Sequence, residues 1–291
     1  MVTKWKAAMV NWLLEPLAYE FMQRGLIMAV LVGVVCALVG CYIVLRGMVF
    51  LGDALSHAIL PGLAVGYLAS AGDPTSLFWW ALGAAVLSSI SISTLSRGGR
   101  IKQDTAIGIV FAGMFALGIA LISTMRSYAV DLSHFLFGNV LGVATDDLWL
   151  TAGVGMVVIL IIVAFYKEFL VLSFDPHLAT TLRLPARPLE ILLSVLTAVA
   201  IVVSLQTVGV ALVVALLVTP AATAYLLTKN LRTMMLLAVL IATSSGVVGL
   251  YVSYYFNVAS GAAIVLACTV VFIVVWLGQQ FRPSRHPQSA N

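Results

Sequence analysis

Charged side chains are scarce in this sequence of 291 residues, where Asp, Glu, Lys and Arg together make up 9%. A soluble domain carries about a quarter of such residues, so this composition excludes an ordinary soluble protein. Hydrophobic residues make up 62% of the chain, and its apolar runs of about 17 to 25 residues can each cross a hydrocarbon core of about 30 Å. The alternating strands of an outer-membrane barrel are missing. The sequence therefore predicts an all-α polytopic membrane protein with about eight or nine transmembrane helices.

Cysteine is also rare, with three residues in the whole chain. Cys36, Cys41 and Cys268 all lie within apolar runs, and no C-x-x-C pair occurs. Neither a disulfide framework nor a thiolate metal site is therefore indicated. We expect each cysteine to be a small buried hydrophobic residue.

Motifs for catalysis are missing as well. The chain has no G-x-x-x-x-G-K-[ST] loop to hold ATP phosphates and no H-E-x-x-H zinc-protease motif. Ser56 and His57 are adjacent, so on a helix they point to different faces and make a poor nucleophile–base pair. The chain is predicted not to be an enzyme and to hold no cofactor, which disfavours an intramembrane hydrolase. If the protein pumps a substrate with energy from ATP, a separate partner must bind and hydrolyse the ATP.

Three regions follow from the pattern of polarity. Residues 1–24 mix Lys, Trp and Glu with leucine and predict an interfacial amphipathic segment. Residues 25–281 form a single transmembrane domain, and residues 282–291 a disordered cytoplasmic tail. The apolar runs within that domain cover approximately 25–45, 48–69, 76–95, 105–124, 148–166, 189–205, 208–228, 233–255 and 259–278.

Basic residues indicate the orientation of these runs. Eleven of the fifteen lie in the tail and in the loops after the first, third, fifth and seventh runs. They are Arg46, Arg97, Arg100, Lys102, Lys167, Arg183, Arg187, Lys229, Arg232, Arg282 and Arg285. Because basic residues concentrate in cytoplasmic loops, the C-terminus is predicted to be cytoplasmic.

The second apolar run contains the segment L-G-D-A-L-S-H-A-I-L-P-G, residues 51–62. Asp53 and His57 are four residues apart, so a helix would place them on one face about 5–6 Å apart. A carboxylate and an imidazole suit Mn²⁺, Zn²⁺ or Fe²⁺, and an intramembrane Asp costs about 2.5–3.5 kcal/mol. Pro61-Gly62 can break the helix just beyond. The alternatives to a metal site are an Asp–His hydrogen bond that joins two helices and an Asp that caps a helix.

Two polar segments are further candidates. Within the insert at 167–188, Asp175 and Pro176 are typical of a helix start, and Pro185 and Pro188 would end that helix. This short helix is either a docking element for a cytoplasmic partner or part of a solvated loop. Asp131 and His134 near the outer face belong either to a solvated loop or to an entry site.

Several of these segments resemble the permease subunits of bacterial ABC importers for manganese, zinc and iron. The resemblance rests on L-G-D-A-L-S-H-A-I-L-P-G, F-L-F-G-N (135–139), F-D-P-H-L-A (174–179) and Q-T-V-G-V-A-L-V-V-A-L-L-V-T-P-A-A-T-A (206–224). It implies the metal-importer ABC permease fold, and a homodimer with cytoplasmic ABC ATPase subunits and an extracytoplasmic metal-binding lipoprotein or periplasmic protein.

The resemblance also implies roles for individual residues. The pathway metal ligands fall on Asp53 and His57, and the external mouth lies near Asp131 and His134. The coupling helix that contacts the ATPase falls on a segment that includes Phe174, Asp175, Pro176, His177, Leu178 and Leu184.

The sequence thus predicts a multi-pass permease in the bacterial inner or plasma membrane, surrounded by lipid and without a nucleic-acid partner. We expect it to import a divalent transition metal, with manganese favoured and zinc or iron possible. The alternative is a self-sufficient channel or an ion-gradient-coupled metal carrier, in which two inverted halves are common.

Overall fold

The computed structural model describes residues 15–70, 74–96, 101–124, 140–174, 179, 181, 182 and 184–281. Across these residues every regular element is helical, as predicted. The α-helices are α1 (Glu20–Leu45), α2 (Phe50–Ala58), α3 (Leu60–Ser70), α4 (Pro74–Leu95), α5 (Gln103–Ser123), α6 (Thr145–Ala164), α7 (Tyr166–Phe174), α8 (Ala186–Val208), α9 (Val210–Leu227), α10 (Leu231–Phe256) and α11 (Ser260–Gln280). Two short 3₁₀ turns occupy Pro16–Ala18 and Val140–Gly142.

Among the described residues, eight helices are long and apolar enough to cross a membrane. The short helices α2 and α3 together form a further apolar segment of similar length, interrupted at Ile59. Pro61 lies just after this interruption and has no N–H to donate to the carbonyl one turn earlier, so a straight helix cannot run through it. The predicted count of about eight or nine transmembrane helices is confirmed by the eight long helices and this broken one.

Helix α1 lies at the centre of the bundle, where it packs against α6, α8, α9 and α10. It is apolar on all sides, which is typical of a helix surrounded by other helices. Helices α9, α10 and α11 also pack on one another, while α2 and α3 pack on α4 and α5. Helix α8 contacts both groups through α1 and α4 and therefore connects them.

Gly209 joins α8 to α9 and has a φ of 84°. Residues with a Cβ rarely adopt this left-handed region, which is why glycine suits the position. Helix α8 therefore ends at Val208 and α9 begins at Val210, with Gly209 as the single residue between them in the Q-T-V-G-V segment. This arrangement keeps the polar backbone of the connection very short.

Three boundaries differ from the expectation. Helix α1 begins at Glu20 rather than near Gly25, so the last residues assigned to the interfacial segment are part of α1, and residues 1–14 lie outside the described part. The start of the 167–188 insert is helical, because α7 buries Phe169 and Leu172. Helix α8 begins at Ala186 rather than near Leu189, with Pro185 as its N-cap and Pro188 in its first turn.

Phe169 explains why α7 is helical despite the charges of Lys167 and Glu168. Its ring is fully buried and packs on Tyr42 of α1, with the ring centroids 5.6 Å apart. Because Tyr42 and Phe169 are distant in sequence, the polarity of the residues around Phe169 could not predict this contact.

Candidate metal site

Helix α2 carries Asp53 in its first turn and His57 in its last turn. The predicted spacing brings the two side chains together, with His57 Nε2 3.8 Å from Asp53 Oδ1. The side chain of Asp53 is 42% exposed and that of His57 29% exposed. One carboxylate oxygen and one imidazole nitrogen thus share a face that is open at the surface of this chain.

The same geometry argues against the two structural alternatives. A separation of 3.8 Å is longer than a hydrogen bond, and both residues belong to one helix, so they do not join two helices. No side chain caps the N-terminus of α2 by a hydrogen bond. The carboxylate of Asp53 in the first turn does suit the positive end of the helix dipole, a modest stabilisation of about 0.3–1 kcal/mol.

The opposite face of α2 is packed into the protein. Leu51, Ala54 and Leu55 are buried there. The hydroxyl of Ser56 is also buried and donates a hydrogen bond to the carbonyl of Gly52 at 2.9 Å. Ser56 is therefore directed away from His57. This agrees with the expectation that Ser56 and His57 make a poor nucleophile–base pair.

Two phenylalanines of α5 form an aromatic wall beside His57. The centroid of the imidazole lies 6.1 Å from the ring of Phe111 and 5.8 Å from that of Phe115. The two phenyl rings stack at 5.7 Å, and Phe50 of α2 packs edge-on against Phe111. This wall was not predicted, although the F-x-x-x-F spacing places both rings on one helix face.

A close contact of α5 with α3 holds the wall in place. A Cβ on Gly118 would lie 2.6 Å from the Cβ of Leu60 and 3.1 Å from the nitrogen of Pro61. Small residues permit such approaches between membrane helices. The absence of a side chain at Gly118 therefore lets α5 pack directly against the break between α2 and α3.

Within one chain the pair offers too few ligands for a complete metal site. Over the described ranges, no group of three or more His, Cys, Asp or Glu side chains is placed to hold a metal ion. Two protein ligands leave most of the coordination positions of a divalent cation free for water or for groups from another chain.

The predicted coupling segment is described only in part. Phe174 is the last residue of α7 and is exposed, whereas Ala179 is helical and buried. Leu184 follows, and its N–H donates to the carbonyl of Ala179 at 3.0 Å. A pocket of about 440 Å³ lies beside Phe174 and is also lined by Leu45 and Lys229. Asp175, Pro176, His177 and Leu178 lie outside the described residues, as do Asp131 and His134.

An ion pair connects α1 and α8 near the same end of the bundle. Arg46, which follows α1, pairs with Glu190 near the start of α8. The Arg46 side chain is only 7% exposed and that of Glu190 36% exposed. This pair brings together residues that are 144 positions apart and was not predicted.

The cysteines conform to the prediction. Cys36, Cys41 and Cys268 are all free and buried. Cys36 lies 3.6 Å from the hydroxyl of Ser204, across the contact between α1 and α8.

Comparison with known proteins adds a family and close relatives. The model of the ABC 3 transport family matches residues 18–279. A curated relative from Halalkalibacterium halodurans, "Manganese transport system membrane protein MntC", is 46% identical over 89% of this chain and 88% of its own. A Haemophilus influenzae protein, "Probable iron transport system membrane protein", is 41% identical over 91% of this chain and 96% of its own.

A solved structure shares the fold. It is described as "PsaBC from Streptococcus pneumoniae in complex with Fab", and the matched chain is 39% identical. The TM-score is 0.79, and the match covers 94% of this chain and 98% of that one. The agreement therefore extends over nearly the whole chain.

Proposed function

We propose a function from one premise: the chain belongs to the ABC 3 transport family, whose model matches residues 18–279. It is a multi-pass membrane permease of an ABC transporter and is not itself catalytic. Our proposal is that it imports a divalent transition metal, with manganese as the principal substrate. ATP hydrolysis takes place in separate cytoplasmic subunits.

The observation that carries this proposal is the partly exposed pair of Asp53 and His57. An ionisable residue in a membrane helix normally faces a bundle interior, a water-filled path or a partner. Here both side chains are open at the surface of a single chain, 3.8 Å apart. A second copy of this chain placed against that surface would enclose the path and supply another pair of ligands.

The chemistry of the two groups suits transient binding. Oxygen and nitrogen donors accept Mn²⁺, Fe²⁺ and Zn²⁺, and two ligands hold an ion less tightly than a complete set would. A cation delivered at the outer face by a metal-binding lipoprotein or periplasmic protein would pass the pair and leave towards the cytoplasm. The name of the relative from H. halodurans favours manganese, and that of the H. influenzae relative makes iron the second candidate.

The cytoplasmic partners are proposed to dock beside α7. The exposed Phe174 ends this helix and lines the pocket next to the ends of α1 and α9. A nucleotide-driven movement there would reach α1 through the buried contact of Phe169 with Tyr42. The excess of basic residues in the same set of loops favours a cytoplasmic C-terminus.

Uptake of ⁵⁴Mn²⁺ by cells that express the complete transporter tests the proposal. Asp53→Ala and His57→Ala are each expected to reduce uptake to background while the protein still inserts and binds its ATPase. Ser56→Ala is the matched control, because Ser56 lies on the same helix and is bonded to Gly52 instead of facing the pair. Wild-type uptake by both variants would show that the ion does not use this pair.

Two further measurements separate the alternatives. Competition by Zn²⁺ and Fe²⁺ identifies the preferred metal. Uptake that survives ATP depletion but stops when the proton gradient is collapsed would instead show an ion-gradient-coupled carrier.

A further inference from the structure

The imidazole of His57 has two nitrogens in very different surroundings. Nε2 is directed to the Asp53 carboxylate, with 3.8 Å between the nearest atoms. Nδ1 is buried and has no hydrogen-bond partner among the described groups. A histidine that binds a metal usually donates this second N–H to a carboxylate or a backbone carbonyl, which fixes both its tautomer and its orientation. In His57 some other contact must do so.

The described rings next to the imidazole are Phe111 and Phe115. The plane of Phe115 is 83° from that of the imidazole, and the plane of Phe111 is 62° from it. Such edge-to-face arrangements direct a positive ring edge to a negative π face. An N–H group can donate weakly to a π face, whereas a bare nitrogen lone pair would be repelled by it. An aromatic neighbourhood can therefore accept a hydrogen on a buried nitrogen more readily than a bare lone pair there.

We propose that Phe111 and Phe115 are positioning residues for His57, which orient the imidazole so that Nε2 meets the transported cation. The inference rests on the proposed function, because it concerns the same ion path. The phenyl rings act through orientation and tautomer and do not touch the ion. Two stacked rings one turn apart on α5 give the imidazole little freedom to turn about its side-chain bonds.

The aromatic wall also has a consequence for release. A carboxylate partner would raise the basicity of the imidazole and strengthen its bond to the metal. A phenyl ring has no such charge, so His57 remains a weaker ligand in a fixed direction. An ion held in this way binds in a defined geometry and still leaves quickly, as transport requires.

The test uses the complete transporter, with its ATPase subunits, in proteoliposomes. Phe111→Leu and Phe115→Leu are each expected to raise the KM for Mn²⁺ by about tenfold, the usual lower limit for loss of a supporting partner, with little change in maximal rate. A second readout is the absorption spectrum of added Co²⁺, which reports whether an imidazole is bound. The spectra of the Leu variants should shift towards that of His57→Ala.

Two control variants make the result specific. Phe115→Tyr keeps the aromatic ring and should keep the wild-type KM and spectrum. Phe50→Leu removes a ring whose described contact is with Phe111, so it perturbs the packing of the wall but leaves both rings at His57. It should change the KM much less than the two test variants do. If a Leu variant does not assemble, Phe115→Met fills the same space without a ring and takes its place.

The outcomes are distinct. If the variants without a ring keep the wild-type KM and Co²⁺ spectrum while His57→Ala abolishes uptake, the positioning role is refuted and the proposed function stands. If His57→Ala itself transports normally, the proposed ion path fails, and the positioning role fails with it. A raised KM and a shifted spectrum that Phe115→Tyr does not show support the inference.

Discussion

Removal of the charge of Glu190 would test how strongly the ion pair between α1 and α8 stabilises the bundle. Glu190→Gln keeps the size of the side chain but leaves Arg46 without a charged partner. Arg46 is 7% exposed, so its guanidinium cannot turn freely into water. The adjacent Nη1 of Arg46 already has no partner among the described groups, which makes the loss of Glu190 more serious.

The exposures of the two side chains set the magnitude. Removal of one partner from a fully buried pair costs about 3–5 kcal/mol, whereas a surface pair contributes about 0–1 kcal/mol. The Glu190 side chain is 36% exposed, so water reaches it and screens part of the interaction. We therefore expect Glu190→Gln to lower the free energy of unfolding by about 1–2 kcal/mol, between these limits. For a chain of this size that corresponds to about 4 °C in Tm.

Thermal unfolding of the purified permease in detergent, followed by tryptophan fluorescence, measures this change. A double-mutant cycle with Arg46→Gln isolates the interaction of the pair from other effects of each substitution. The double variant should be nearly as stable as the less stable single variant. If the two single effects add without coupling, the pair does not stabilise the contact between α1 and α8.

Two substitutions test the packing around the site and the cytoplasmic helix. Gly118→Ala would force α5 away from Leu60, so it should lower the free energy of unfolding by about 1–3 kcal/mol and reduce metal uptake. The control is Gly113→Ala on the same helix, whose new methyl group would meet open space and should change neither quantity. Equal Tm and uptake for both would contradict the close contact. Phe169→Ala should cost about 3–5 kcal/mol because its ring is fully buried, and Phe165→Ala, with a half-exposed ring, should cost clearly less in the same Tm measurement.

The transmembrane helices follow from the sequence with small errors at their ends. Long apolar runs determine them, because an apolar stretch of about 20 residues is stable in a membrane only if its backbone is hydrogen-bonded as a helix. The break in the second run was also foreseen from Pro61-Gly62, and the structure places it at Ile59. Helix α7 was not foreseen, since its charged residues masked a buried face formed by Phe169 and Leu172.

Only the part of the candidate site that lies on helix α2 could be predicted from the sequence. Asp53 and His57 share a face because they are four residues apart, and this holds for any helix of that sequence. The rings beside His57 come from α5, more than 50 positions later in the chain. No sequence pattern within α2 can indicate these rings.

Composition and residue spacing are sufficient to predict a helical membrane protein with an aspartate and a histidine on one face of a broken helix. These properties depend on composition and on short spacings, which act locally. The packing of the helices sets the rest: Phe111 and Phe115 lie beside the imidazole, and Arg46 meets Glu190. Both depend on which helices approach each other, and that is set by the packing of small residues such as Gly118 across helix pairs that are distant in the chain.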